Sequence, residues 1–198
     1  MRIDAQKTRA SQLKRSREEI VNLKYIIAKI AFGTVHANEI RAVVDSLLTE
    51  GTYSDDFIDI MDSKPARLDE VLPPFTSFLK AKMISIPSKD QAVWQIIEYH
   101  VSRIATEVAD TFEELNALIS DVYWDYDFHS QTKSYLGDSH GIEHLIGLYW
   151  EHDEIPEGSK EIGALKKKVI SRSLEWMGRF ANHAFHMDGD SAALHPRQ

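Results

Sequence analysis

The chain has 198 residues, of which 43% are hydrophobic and 27% are charged. This size and apolar content suffice for a buried core, which excludes a disordered chain and a fold that depends on metal or disulfides. There are 23 basic and 31 acidic side chains, a net charge of −8, which argues against a nucleic-acid binder held by an overall positive field. The lack of cysteine excludes thiolate catalysis and cysteine-based zinc sites.

The N-terminal residues are charged throughout and lack the apolar run of a signal peptide. The longest apolar stretch, from Tyr25 to Phe32, is interrupted by Lys29 and is too short to cross a bilayer. We therefore expect a cytoplasmic protein that does not enter a membrane.

Apolar residues recur at helical spacing along almost the whole chain, and no alternating run flanked by hairpin turns is present. This pattern predicts an all-α protein. The first predicted helix extends from near Ser11 to Gly33, and the second from Asn38 to a left-handed cap at Gly51. Ser54, which is followed by two aspartates, begins a short third helix.

The middle of the chain is predicted to form short pieces, because proline interrupts helices. The prolines concerned are Pro65, Pro73, Pro74 and Pro87. Ser88 and Gln91 then form a capping box that opens a long helix, and Thr111 and Glu114 form a second box that opens the next. The apolar stripe of the long helix consists of Val93, Ile97, His100, Val101, Ile104 and Val108.

The last third of the chain is predicted to contain two more helices. The segment from Tyr123 to Tyr135 is rich in acidic and aromatic residues and is expected to form a helix end and a loop. Asp138 or Ser139 caps a helix that ends at Trp150, and Ser159 begins the final helix.

These elements predict one irregular domain of about eight helices in antiparallel packing, which covers residues 1–198. No repeat and no linker rich in glycine, serine or proline divides the sequence. The ends, at residues 1–10 and 188–198, are expected to be flexible.

Charge is segregated along the chain. The first thirty residues contain eight basic and three acidic side chains, whereas the stretch between Arg103 and Lys160 contains thirteen acidic residues and one lysine. For the basic segment we favour a solvated helix over nucleic-acid binding, because no aromatic residues are interleaved with its charges. The acidic stretch, in contrast, also contains Phe112, Tyr123, Trp124, Tyr126, Phe128, Tyr135, Tyr149 and Trp150.

Two interpretations of the acidic and aromatic stretch remain open. Its rings can belong to the core with carboxylates on the outer helix faces, and helical spacing favours this for Phe112, Tyr149 and Trp150. The run from Tyr123 to Asp127 does not separate in this way, which favours a docking surface for a basic protein. The predicted partner-binding residues are Asp121, Tyr123, Trp124, Asp125, Tyr126, Asp127, Glu151, Asp153 and Glu154.

His140, Glu143 and His144 form an alternative site. Their pattern resembles the inverted zinc signature of insulinase-type peptidases, in which two histidines one helical turn apart bind zinc and the glutamate activates water. On a continuous helix the three side chains share one face. The resemblance implies a small metal-dependent hydrolase, whereas solvated polar positions on a helix are the structural alternative.

Other common catalytic signatures are absent from the sequence, including the phosphate-binding loop, the dinucleotide-binding glycine motif and the calcium loop. We therefore expect a non-enzymatic protein without a cofactor. In size, acidity and lack of cysteine the chain is similar to the immunity proteins with which bacteria neutralise their own toxins. Many of these toxins are basic nucleases. This similarity implies an inhibitor that covers a basic toxin or nuclease with its acidic aromatic surface.

Overall fold

A computed structural model describes residues 23–131, 133–156 and 158–180. Most of these residues are helical and none of them lies in a strand, which confirms the all-α class. In chain order the helices are α1 (residues 23–32), α2 (Ala37–Thr49), α3 (Asp56–Asp62), α4 (Leu68–Ala81), α5 (Lys89–Ala105), α6 (Thr111–Leu118), α7 (Phe128–Gln131), α8 (Glu143–Glu154) and α9 (Glu161–Phe180). A π-helical turn, Ile119–Tyr123, continues α6, and a 3₁₀ turn, Asp138–His140, precedes α8.

The chain divides into two compact units, Met1–Lys89 and Asp90–Gln198. A single domain with antiparallel packing stays a prediction. The start of the first helix near Ser11 and the expected flexible ends lie outside the described residues. None of the helices in the described ranges combines the length and the apolar character that a membrane span requires.

The core of the first unit forms where the apolar stripes of α1 to α4 meet. Gly33 and Gly51 have positive φ angles of 93° and 84°, and the turns at these two residues end α1 and α2 as predicted. The core side chains are Ile26, Ile27, Val35, Ile40, Val43, Val44, Phe57, Ile60, Val71, Phe75, Phe78 and Leu79.

The prediction that Pro73 and Pro74 break the middle of the chain is wrong, because both lie inside α4. Each proline removes one backbone donor from the helix. Downstream of them, Phe75 and Phe78 are buried, and the ring of Phe78 lies 4.7 Å from that of Phe57 on α3. Burial of this apolar face outweighs the loss of two hydrogen bonds.

In the second unit, α5 begins directly after Ser88, as predicted, and buries the expected stripe from Val93 to Ile104. The helix ends at Ala105, so the assignment of Val108 to this stripe is wrong, and Val108 is exposed. The predicted cap of α6 is also wrong by one residue. The carboxylate of Asp110, rather than the hydroxyl of Thr111, accepts the backbone N–H groups of the first turn.

The start of α8 differs from the prediction as well. The Asp138 carboxylate accepts hydrogen bonds from the backbone N–H groups of Lys133, Tyr135 and Ser134, which lowers the pKa of Asp138 to about 2. Asp138 therefore organises the preceding loop and does not cap the helix. The left-handed Gly141, at φ 69°, ends the 3₁₀ turn, and α8 extends from Glu143 to Glu154 instead of ending at Trp150.

Candidate protein-binding surface

The nine residues predicted to bind a partner lie in three different environments. Trp124 is 66% exposed and Tyr126 is buried. Asp121 and Tyr123 are half-buried. The other predicted residues are exposed, namely Asp125, Asp127, Glu151, Asp153 and Glu154.

The π-helical turn determines how the aromatic run is presented. Ile119 and Val122 are buried, so the turn is attached to the core of its unit by apolar side chains. A π-helical turn has one more residue than an α-helical turn, which changes the direction of the side chains that follow. Tyr123 ends this turn, and Trp124 comes next with most of its indole in solvent.

Helix α8 places a second tryptophan, Trp150, beside Tyr123. The Tyr123 ring makes edge contacts with Trp124, at 4.8 Å between ring centroids, and with Trp150 of α8, at 6.4 Å. Tyr149 packs edge-on against Trp150 at 5.0 Å, and Trp150 is 41% exposed. The four rings thus form a continuous aromatic cluster drawn from two elements.

Exposed carboxylates flank this cluster. Asp125 directly follows Trp124, and Asp153 and Glu154 lie three and four residues after Trp150, which is one turn along the same helix. We refer to the four rings and these three carboxylates together as the acidic aromatic surface. It contains five of the nine predicted residues, together with Tyr149 and Trp150.

The remaining predicted residues have partners within the chain. The Tyr126 hydroxyl donates to Asp90 Oδ1 at 3.1 Å and accepts from Gln131 Nε2 at 2.7 Å, and burial raises its pKa. The Asp127 carboxylate accepts the backbone N–H of Ser130 at 3.1 Å, which lowers the pKa of Asp127. These two side chains stabilise α7 and the short connection between the π-helical turn and α7.

Glu151 and Asp121 also make polar contacts inside the second unit. Glu151 Oε1 accepts a hydrogen bond from Lys168 Nζ of α9 at 2.9 Å. Both side chains of this pair are about half exposed, so the ion pair contributes little stability. Asp121 takes part in a more extensive network.

That network is centred on His100, which is only 2% exposed. Its Nδ1 lies 2.7 Å from Glu114 Oε1, and its Nε2 lies 3.0 Å from Asp121 Oδ2. Arg103 Nε donates to the second Glu114 oxygen at 2.9 Å, and its guanidinium lies 5.3 Å from the centre of the Tyr99 ring. Three elements, α5, α6 and the π-helical turn, are joined by these contacts.

The His100 ring carries a positive charge in this arrangement. Burial alone lowers the pKa of His100, but the hydrogen bonds and negative charges of Asp121 and Glu114 outweigh it, so the pKa is raised. Burial likewise raises the pKa of Glu114, but hydrogen bonds from His100 and Arg103 lower it overall. Because both ring nitrogens face carboxylates, both act as donors, which requires the imidazolium form.

Sequence reasoning placed His100 on the apolar stripe of α5 and did not identify its partners. Glu114 and Asp121 are 14 and 21 residues away and lie on different elements, so helical periodicity does not relate them. The one local signal is Arg103, three residues after His100 on the same helix face.

The three residues of the alternative metal site are not brought together. His140 belongs to the 3₁₀ turn and is buried, and the left-handed Gly141 separates it from α8. His144 is exposed on α8, with its Nε2 3.8 Å from Glu143 Oε1. In the described part of the chain, no three histidine, aspartate or glutamate side chains are placed to hold a metal ion.

His140 occupies an aromatic environment instead. Its ring centroid lies 4.6 Å from that of Trp94, 5.2 Å from Tyr126 and 5.4 Å from Phe128. Burial lowers the pKa of His140 to about 4, so the ring is neutral at pH 7. Its backbone carbonyl accepts a hydrogen bond from Trp176 Nε1 at 2.8 Å, which fixes α9 to this turn.

Comparison of the chain with protein-family models, with curated proteins and with solved structures finds no match. The function is therefore inferred from the geometry and charge of the described residues.

Proposed function

We propose that this protein is a non-enzymatic binding module that docks a basic protein through the acidic aromatic surface. The observation that carries this proposal is the pair of exposed tryptophans, Trp124 and Trp150, joined through Tyr123 and flanked by exposed carboxylates. Tryptophan and tyrosine dominate the binding energy of many protein interfaces. An exposed cluster of such rings is more informative than single exposed apolar residues.

Charge supports a basic partner in particular. The stretch between Arg103 and Lys160 has thirteen acidic residues against one basic residue, and Asp125, Asp153 and Glu154 are exposed beside the rings. Such a field accelerates encounter with a positively charged protein and weakens as salt is added. The rings supply buried apolar area after docking, and the carboxylates supply steering and orientation.

An immunity-type role in the cytoplasm agrees with these properties. A nuclease presents a basic surface because its substrate is a polyanion, and an acidic protein can cover that surface. In this role the protein inhibits by occlusion and needs no catalytic residue or cofactor of its own.

Charge reversal tests the proposal. The surface variant carries three substitutions in the acidic aromatic surface, Asp125→Lys, Asp153→Lys and Glu154→Lys. The first-unit variant makes the same change in charge at exposed positions of the first unit, by Asp45→Lys, Asp59→Lys and Asp62→Lys. Each immobilised variant is exposed to lysate of the source cells, and bound protein is eluted with salt. We expect the unmodified chain and the first-unit variant to retain a basic protein that the surface variant does not retain.

The eluted partner is then purified and assayed for nuclease activity with each variant added. Stoichiometric inhibition by the unmodified chain, lost in the surface variant, is the expected result. Equal retention of the partner by all three proteins would show that the acidic aromatic surface is not the docking site.

A further inference from the structure

We propose that the exposed faces of Trp124 and Trp150 receive arginine side chains of the basic partner. This inference rests on the proposed function and assigns a chemical class to the groups that the aromatic cluster recognises. It concerns the rings themselves, whereas the proposed function depends on the charge of the whole surface.

The first argument is the geometry of the rings. Trp124 and Tyr123 are almost perpendicular, at 86°, and Trp150 is inclined at 71° to Tyr123. Each tryptophan therefore contacts Tyr123 through an edge-type packing that does not stack the two ring faces on each other. With exposed fractions of 66% and 41%, both indoles retain surface in contact with solvent.

The second argument is that no cationic side chain of the described residues occupies these faces. In the described ranges, the lysine and arginine side chains that lie over rings do so at Tyr25, Phe32 and Tyr99. No lysine or arginine among the described residues lies over the rings of Tyr123, Trp124 or Trp150. The ring face carries the negative part of the aromatic quadrupole, and indole attracts cations more strongly than the other aromatic side chains do.

The third argument is the local field. Asp125 follows Trp124 directly, and Asp153 and Glu154 lie one turn beyond Trp150 on α8, so each tryptophan has at least one exposed carboxylate near it along the chain. Asp121 is not counted among them, because His100 already balances its charge. A cation that stacks on either ring is thus also attracted by exposed carboxylates.

Arginine fits these conditions better than lysine. The guanidinium group is planar and weakly hydrated, so it stacks on a ring face at a small desolvation cost and still donates hydrogen bonds to a nearby carboxylate. The lysine ammonium is a compact and strongly hydrated charge that stays in water more readily. The surface therefore discriminates between two partners of equal charge.

Three peptides of equal length test this inference, each with four identical residues separated by glycine and serine. The repeated residue is arginine, lysine or citrulline, which has nearly the shape of arginine without its charge. Binding to the full chain is followed by NMR through the indole N–H resonances, which report on each tryptophan separately. We expect the arginine peptide to bind about threefold or more tightly than the lysine peptide and to shift the resonances of Trp124 and Trp150. The citrulline peptide is expected not to bind.

Variants then separate ring recognition from charge. Trp124→Leu keeps an apolar side chain but removes the ring. We expect it to lower arginine-peptide affinity toward that of the lysine peptide, with the remaining preference supplied by Trp150, while lysine-peptide affinity is almost unchanged. Tyr135→Leu is the matched control, because Tyr135 is 71% exposed in the same acidic stretch and makes no ring contact with the cluster. It is expected to leave all three affinities unchanged.

Two different negative results are distinguishable. Equal binding of the arginine and lysine peptides, unaffected by Trp124→Leu, would overturn the arginine inference and leave the proposed function intact. Unchanged binding of the arginine peptide to the surface variant, Asp125→Lys with Asp153→Lys and Glu154→Lys, would show that the acidic aromatic surface is not involved. That result would contradict both the arginine inference and the proposed function. No detectable binding of the arginine peptide would overturn the inference, and the partner assay would still decide the proposed function.

Discussion

His100 Nε2 lies 3.0 Å from Asp121 Oδ2 and so joins the middle of α5 to the π-helical turn. The opposite ring nitrogen joins the same histidine to Glu114 of α6 at 2.7 Å. The buried His100 therefore holds the turn that leads into Tyr123 and Trp124, together with the buried side chains of Ile119 and Val122. We therefore expect the packing around the acidic aromatic surface to depend on a buried group that a partner does not contact.

Replacing His100 with leucine tests this dependence. The substitution removes the cation that lies between the largely buried carboxylates of Glu114 and Asp121, although Arg103 still donates to Glu114. Removal of one partner from a buried ion pair costs about 3–5 kcal/mol. We expect a loss of unfolding free energy in this range, measured by urea denaturation. His129→Leu, at an exposed position of α7, is the control and should change stability by less than about 0.5 kcal/mol. A small effect of His100→Leu would contradict the role assigned to the network.

The pH dependence of stability provides a second test of the same group. The pKa of His100 is raised in the folded state, so its contribution is complete below the unfolded value of 6.5 and is lost as the pH rises through the folded value. The pKa of Glu114 is lowered, so its contribution is complete above 4.5 and is lost as the pH falls through its folded value. The network is expected to stabilise most between these two ordinary values.

Unfolding of the unmodified chain and of His100→Leu, measured from pH 4 to pH 9, shows this directly. The difference in unfolding free energy between the two proteins should be largest near pH 5 to 6 and should decrease as the pH rises from 6.5 through the folded pKa of His100. A difference that stays constant over the whole range would mean that the charge of His100 contributes nothing.

The helix positions could largely be predicted because apolar residues recur at helical spacing along each helix. Gly33 and Gly51 were informative, since a left-handed residue after a helix favours glycine. The prediction failed where neighbouring residues compete for one role, as Asp110 and Thr111 do at the start of α6. It also failed at the prolines of α4, where packing overrides a local preference.

The candidate site was predictable only in outline. Charge and aromatic content located the segment that contains Trp124, but they did not show that Tyr126 is buried or that Trp150 joins the surface. Those facts depend on how the π-helical turn and α8 pack. The network of His100 involves elements far apart in the sequence and needs tertiary structure to be seen.

The buried His140 predicts a different pH response. Burial lowers the pKa of His140 to about 4, whereas the unfolded value is 6.5. The unfolded chain therefore binds a proton between these values that the folded chain does not, and this residue destabilises the fold as the pH falls from 6.5 to about 4. His140→Phe removes that component and keeps an aromatic ring beside Trp94. The unfolding free energy of the variant should fall less steeply over this pH range, as measured by denaturant titration, and an unchanged slope would contradict the assignment.

The start of α6 distinguishes two capping residues. The Asp110 carboxylate accepts the backbone N–H groups of Phe112 and Glu113, so Asp110→Ala should destabilise by about 1 kcal/mol. The Thr111 hydroxyl is buried and has no hydrogen-bond partner among the described residues. Thr111→Val keeps the shape and removes the unsatisfied group, so it should be neutral or stabilising by up to about 1 kcal/mol. Thermal denaturation of both variants shows which residue caps α6. A larger loss of stability in Thr111→Val than in Asp110→Ala would assign the cap to Thr111.

Gly141 is required by both its backbone and its surroundings. Its φ of 69° is a left-handed conformation, and a Cβ at this position would overlap the Phe180 ring of α9. Gly141→Ala therefore forces either the turn or the ring to move, and we expect a loss of about 1–3 kcal/mol in unfolding free energy. Gly147→Ala is the matched control, because Gly147 lies inside α8 with nothing within 4 Å of an added Cβ. That change should stabilise by about 0.5–1 kcal/mol, since alanine favours the helix, and equal effects of the two substitutions would show that Gly141 is not constrained.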